Sequence, residues 1–446
     1  MKKMKTALAL LCALFLLVGL FAACDGGTAS TTPPAATDPV DTPKNDDTPA
    51  PPADPIKIVF CVNIQPQLPL EFWQSIADRY MSQRENITVE IIGNPSSDVT
   101  VGQYQKTLLS TGQFPDVMVM QNPADFVPAG ALLAFDEGDL DYLLDPNVGK
   151  IGGKQYVANY KKQIIGVFYN KKIFADNNLS VPQTYQQFID NCEALKAKDI
   201  LPVSIGIKDG WPQIMLCNMI AGTDLLAKNP NWGAERNNDT VKFNNPDLTK
   251  ALEKYKTICT QYCGNSLASI TYTQMLEQFF TGSAAMLPMG SWVNAEVAKA
   301  EQDFDVGWFP MPGDNDANTL SVFVNEGLSI GAQTEYPDIC KDFVKFFFTD
   351  VELYGKFLES EQLFSTTKAS IDYDMIPLRK ELESIISGMQ EVEGFESMTG
   401  DAAFLPGLKD YYTNILTQNM ALGGEAATEL DNFDNEWVKA SEALDG

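Results

Sequence analysis

The chain has 446 residues, 59 acidic against 32 basic, a net charge of −27 and no histidine. Without an imidazole there can be no Ser-His-Asp or Cys-His nucleophile and no His-ligated metal centre, whereas carboxylate-pair, Ser-Lys and Cys-only chemistry and binding without chemistry remain open. The charge and a pI near 4.3 oppose nucleic-acid phosphates and anionic lipid headgroups, so no nucleic-acid partner is expected; 45% hydrophobic residues over this length suffice for about two packed domains.

Lys2, Lys3 and Lys5 precede an apolar run through Ala23, the basic and hydrophobic regions of an export signal, too short and too lightly flanked for a retained anchor. Its end, Leu20-Phe21-Ala22-Ala23-Cys24, resembles a bacterial lipobox, with Phe21 where Leu is usual. The resemblance implies cleavage after residue 23 and acylation of Cys24, which takes the net charge to −30. Residues 25–55 hold eight of the 26 prolines and six aspartates, so 24–55 is expected to be a disordered, solvated tether. Cys61, Cys192, Cys217, Cys259, Cys263 and Cys340 remain in the folded part; their scatter predicts buried free thiols, not a disulfide scaffold or a Cys-only zinc site.

From Ile56 onward short β-type runs alternate with amphipathic helices. Strands are predicted at 56–62, 87–92 and 114–120, with helices at 70–83 and 103–111 between them, the order of a mostly parallel sheet covered on both faces. Ligands of such sheets gather at the carboxyl ends of strands, which draws attention to Asn63 and Gln65 after the first strand and to Gln121, Asn122 and Asp125 after the third. Amides there suit a hydroxyl-binding surface, and are equally ordinary turn residues. Further strands are predicted at 164–169, 201–207 and 284–289. Helices are predicted after Thr184, which can cap, at 274–280, and after Thr334, where Ile339, Phe343, Phe346 and Phe347 mark a core face. Trp73 has core spacing on the first helix. Asp314-Asn315-Asp316-Ala317-Asn318 begins like a calcium loop but lacks its glycine and its final acid, so no metal site is expected there.

Phe279-Phe280-Thr281-Gly282-Ser283-Ala284-Ala285-Met286-Leu287-Pro288-Met289-Gly290-Ser291-Trp292 resembles the F-x-x-G-x-A-A-M-x-x-x-G-x-W signature of the family 1 extracellular solute-binding proteins, the sugar-binding components of ABC importers. Phe114-Pro115-Asp116-Val117, Tyr169-Asn170-Lys171-Lys172-Ile173-Phe174, Pro182-Gln183-Thr184-Tyr185, Phe309-Pro310-Met311-Pro312-Gly313 and Gly327-Leu328-Ser329-Ile330 resemble further segments of that family in its order, over about residues 56 to 350.

The resemblance implies a two-lobed α/β fold of the periplasmic-binding-protein type (type II), each lobe a mixed sheet flanked by helices, with a ligand cleft between. Transferred family topology puts chain crossings near Tyr160-Lys161, Gly307 to Pro310 and Thr349-Asp350, so that 56–161 and 308–350 form one lobe and 162–307 and 351–446 the other. It further implies a monomer anchored through Cys24 to the outer face of the cytoplasmic membrane. That monomer would capture a mono- or oligosaccharide and pass it to ABC permease transmembrane subunits, without a cofactor and without catalysis.

A sugar ring stacks its C–H face on aromatics and presents hydroxyls to amides and carboxylates. Trp292 stands where the family's stacking Trp lies. Asp209 and Trp211 fall in its second ligand-contacting region, where the alternative is an Asp-Gly turn beside a packed ring, and Tyr411 and Phe404 fall where relatives often supply another ring. Trp308, beside an expected crossing, could line the cleft or pack the hinge. An acidic solute would require cations, for which only Lys161 and Lys208 are in place, and an exported carbohydrate-active enzyme with paired carboxylates is the alternative class.

Overall fold

The computed structural model describes residues 55–65, 68–94, 99–324 and 326–445. The export signal, Cys24 and nearly all of the tether lie outside them. Among the described residues twelve strands are formed: β1 Ile56–Val62, β2 Ile87–Gly93, β3 Val117–Met120, β4 Leu132–Leu133, β5 Ala158–Asn159, β6 Gln163–Asn170, β7 Leu201–Val203, β8 Ala284–Gly290, β9 Val306–Phe309, β10 Thr319–Phe323, β11 Gly327–Gly331 and β12 Gln390–Glu393. They make two mixed sheets. The first has the order β2-β1-β3-β11-β4 with β5 also on β11; the second has β12-β10-β6-β8-β7 with β9 also on β6.

The parallel pairing of β2, β1 and β3 follows from the strand-helix-strand alternation read in the sequence. Successive residues of β1 serve opposite faces. Ile58, Phe60 and Val62 enter a core with the helices Leu70–Ser82, Pro337–Thr349 and Val351–Glu361, while Cys61 joins Met118 and Met120 beneath the helix Val101–Ser110. A separate core fills the second lobe around β6, β8 and the fully buried helix Pro212–Ala221. Trp73 belongs to the first core and Trp308 to the second; both are buried, the latter lying so close over β6 that a Cβ on Gly166 would meet its ring at 2.1 Å. All six described cysteines are buried and unpaired.

Between the sheets the chain passes at 160–162, between β5 and β6. The second passage is not near Gly307 to Pro310: β9 and β10 both pair antiparallel with β6, so 306–323 belongs to the second sheet and the chain changes sheets between β10 and β11. The third is not at Thr349-Asp350 either. There Asp350 caps the next helix through Leu353 N–H, and Leu353, Tyr354, Phe357, Leu358 and Leu363 stay in the first core, Phe364 being the first residue in the second. The three passages are tied together. Lys162 and Phe364 exchange backbone hydrogen bonds, and Tyr160 N–H donates to the Glu326 carbonyl.

Candidate functional site

β8 ends at Gly290, and Ser291 fixes that end by donating its N–H to the Ile164 carbonyl and accepting the Ile164 N–H on its hydroxyl. The next residue, Trp292, folds its ring back over the strand end: a Cβ on Gly290 would lie 1.9 Å from it. Trp211 opens the helix Pro212–Ala221 directly after Gly210, whose φ of 78° is glycine's. Tyr272 opens the helix Tyr272–Phe280 after the Thr271 capping box. These three half-buried rings meet. Trp211 stands 4.8 Å from Tyr272 and 6.1 Å from Trp292, and Phe323 backs Trp292 at 6.4 Å. Burial pushes the Tyr272 hydroxyl up from its ordinary range, opposed by the polar influence of the neighbouring Trp292 indole.

Asp209, the predicted partner of Trp211, is exposed and accepts the Tyr272 backbone N–H at 2.7 Å, so its carboxylate positions the third ring. Tyr272 itself was not singled out in the sequence, although the capping pattern Thr271-x-x-Gln274 marks it as the first residue of a helix.

The predicted residues of the first lobe lie at its strand ends. Asn63 accepts the Trp73 indole N–H on its backbone carbonyl, and the Gln65 amide reaches Glu361 Oε1 at 3.5 Å. Gln121 is half-buried at the end of β3 and Asn122 is exposed, whereas Asp125 turns to Lys106 at 2.9 Å. Phe404 and Tyr411 are not brought to the platform. Phe404 packs edge-on against Phe243, Phe395, Tyr412 and Phe433, and Tyr411 stacks on Phe433, so both serve the second lobe's core. Lys161 is buried between Glu326 at 3.0 Å and Glu361 at 3.2 Å, while Lys208 is exposed. Burial would lower the Lys161 pKa, but the two carboxylates outweigh it and hold the ammonium above its usual range.

A cavity of about 590 Å³ lies on the opposite face of β10, lined by Val322 and Val324, which alternate with Phe323. Its charged walls are engaged with one another, Lys162 with Glu391 and Arg379 with Glu383. Asp314 of the calcium-like segment pairs with Lys254 at 2.8 Å, and no group of three or more Cys, Asp or Glu among the described residues could hold a metal ion.

Residues 67–352 match the family model of the bacterial extracellular solute-binding proteins, which is more than half of the chain. The chain belongs to that family. This solute-binding protein is 25% identical over 283 residues to the multiple sugar-binding protein of Streptococcus mutans, covering 60% of this chain and 66% of that one. It is 24% identical over 285 residues to an uncharacterised ABC transporter extracellular-binding protein of Pyrococcus horikoshii, covering 63% and 61%. The chain thus spans just under two thirds of the length of these relatives. Among solved structures it resembles a chitin oligosaccharide binding protein (TM-score 0.75, 20% identity, 87% of this chain and all of that one). It also resembles the open form of a binding protein of Bacillus subtilis (TM-score 0.74, 16% identity, 88% and 99%). These likenesses bear out the two-lobed fold.

For the solute-binding protein, the close approach at Gly290 gives a direct expectation. Gly290→Ala should displace the Trp292 ring, red-shifting tryptophan emission, and should destabilise the fold by about 1–3 kcal/mol in urea unfolding.

Proposed function

We propose that the protein is anchored through Cys24 outside the cytoplasmic membrane, captures a mono- or oligosaccharide between its lobes and delivers it to an ABC permease. The observation that carries this is the contact of Trp211, Tyr272 and Trp292, three half-buried rings gathered where β8 ends and two helices begin. Rings that remain half-buried after folding offer the flat apolar surface a pyranose face needs, and amides serve its hydroxyls. The printed ligands of similar structures, chitin oligosaccharide and raffinose, support the same solute class. A solute touching both lobes favours their closed arrangement through contacts that the open one cannot offer. The reading is capture without turnover by a monomer. Among the described residues no helix is long and apolar enough to cross a membrane.

Thermal-shift measurements against a saccharide panel test the reading: a sugar at about 100 times its Kd stabilises by about 2.7 kcal/mol. Shifts with peptides or polyamines and with no sugar would overturn the carbohydrate assignment. Loss of palmitate labelling in Cys24→Ala tests the anchor separately.

With no histidine anywhere in the chain, affinity should change less than about twofold between pH 6 and 8, as titration calorimetry at several pH values would show. Glu393 has its pKa raised by burial, against hydrogen bonds from Thr399, but it lines the cavity on the far face of β10.

A further inference from the structure

Where the three passages between the lobes meet, one lysine lies between two glutamates, a formal charge of −1 in a buried cluster. Glu326 has both oxygens occupied. Its Oε1 accepts the Tyr160 hydroxyl at 2.5 Å, and its Oε2 faces Lys161 Nζ. Glu361 has only Oε2 so engaged, at 3.2 Å from the same ammonium. Its Oε1 meets the Gln65 amide at 3.5 Å, the outer limit of a hydrogen bond, and retains acceptor capacity. Glu361 is 6% exposed and closes the helix Val351–Glu361, just before the chain enters the second lobe. Its helix packs against the helix Val293–Lys299, which bears Glu296 and starts directly after Trp292. Glu361 and Gln65 of one lobe therefore lie beside the element that follows the Trp292 ring in the other.

We infer that Glu361 Oε1, flanked by the Gln65 amide, is the polar floor of the solute site, accepting a hydroxyl of the ring held on the aromatic platform and excluding anionic solutes. The inference rests on the solute-capture reading and deepens it. Lys161 orients the carboxylate and is already engaged by two of them, so it has no charge left for a solute carboxylate or phosphate. Such a solute would enter a partly desolvated site beside Glu361, Glu296 and Asp209, where like charges raise each other's energy. A neutral polyol brings donors and no such penalty. Uronates and sugar phosphates are therefore excluded by the same group that orients a neutral sugar.

The test is titration calorimetry of the purified full chain, as wild type, Glu361→Gln and Trp292→Ala, with raffinose, chitotriose, digalacturonate and spermidine as probes. Wild type should prefer a neutral saccharide to digalacturonate by at least ~10-fold, and Glu361→Gln should weaken the neutral saccharide ~10-fold while digalacturonate is unchanged or tighter, so that the preference shrinks. A uniform loss for every probe would mark a structural role and overturn the inference. So would tightest binding of digalacturonate, or a neutral saccharide indifferent to Glu361→Gln; if Trp292→Ala still abolishes binding in that last case, solute capture stands without Glu361. Binding of spermidine alone, weakened by Glu361→Gln, would keep the carboxylate assignment and remove the carbohydrate reading.

Discussion

Trp292→Ala should lower saccharide affinity by about 30- to 1,000-fold, or about 2–4 kcal/mol, while the unliganded protein melts within a few degrees of wild type. An indole buries about 150–250 Å² when fully covered, and at about 25 cal/mol per Å² the half left open in this fold is worth about 2–3 kcal/mol to a stacked ring. The other half already rests on Gly290, Trp211 and Phe323. Truncation therefore removes part of a fold contact together with most of a solute contact, and the two are separable by measurement. Calorimetry with the best-binding saccharide reads the first quantity and a melting curve without solute the second. Trp292→Phe should recover part of the affinity, because a smaller ring still stacks. A large fall in melting temperature with affinity preserved would make Trp292 a core residue and leave the platform without its centre.

Much of the architecture could be read from local pattern. The alternation in Ile56–Val62 and the run Ala284–Gly290 announce a mostly parallel sheet and a buried strand before any coordinates are considered. What local pattern could not supply is pairing across long stretches of chain. Transferred family topology makes Phe309-Pro310-Met311-Pro312-Gly313 a passage between lobes, yet β9 and β10 return to β6, and only the strand pairing reveals it. Phe404 and Tyr411 had the chemistry of a sugar platform and the right neighbourhood in the chain, but Phe243, Phe395 and Phe433 claim their rings. Tyr272 is the converse case, a residue in a modest capping pattern that tertiary contact places beside two tryptophans. Both partners of Lys161, Glu326 and Glu361, lie far away in sequence, so the lysine could be read only as a free cation.

That lysine carries the largest expected effect on stability. Lys161→Met should destabilise the protein by about 3–5 kcal/mol, because Glu326 and Glu361 would remain buried with their common counter-charge removed. An exposed pair provides the contrast: Lys57 and Glu90 have side chains 60% and 47% exposed, and Lys57→Met should stay within about 0.5 kcal/mol of wild type. If the penalty comes from uncompensated charge and not from lost packing, neutralising the partners should reverse it. The triple variant Lys161→Met, Glu326→Gln, Glu361→Gln is therefore expected to regain most of the loss in urea unfolding, since a neutral, well-packed replacement of a buried ion cluster is often as stable as the original. Recovery would locate the role of the cluster outside stability. Its members sit at the first and second passages between the lobes and just before the third, and Glu361 alone keeps an oxygen with room for a partner, so the triple variant should fold well and bind neutral saccharide poorly. Failure to recover would instead assign Lys161 to packing, its alkyl stem serving the hinge more than its charge does.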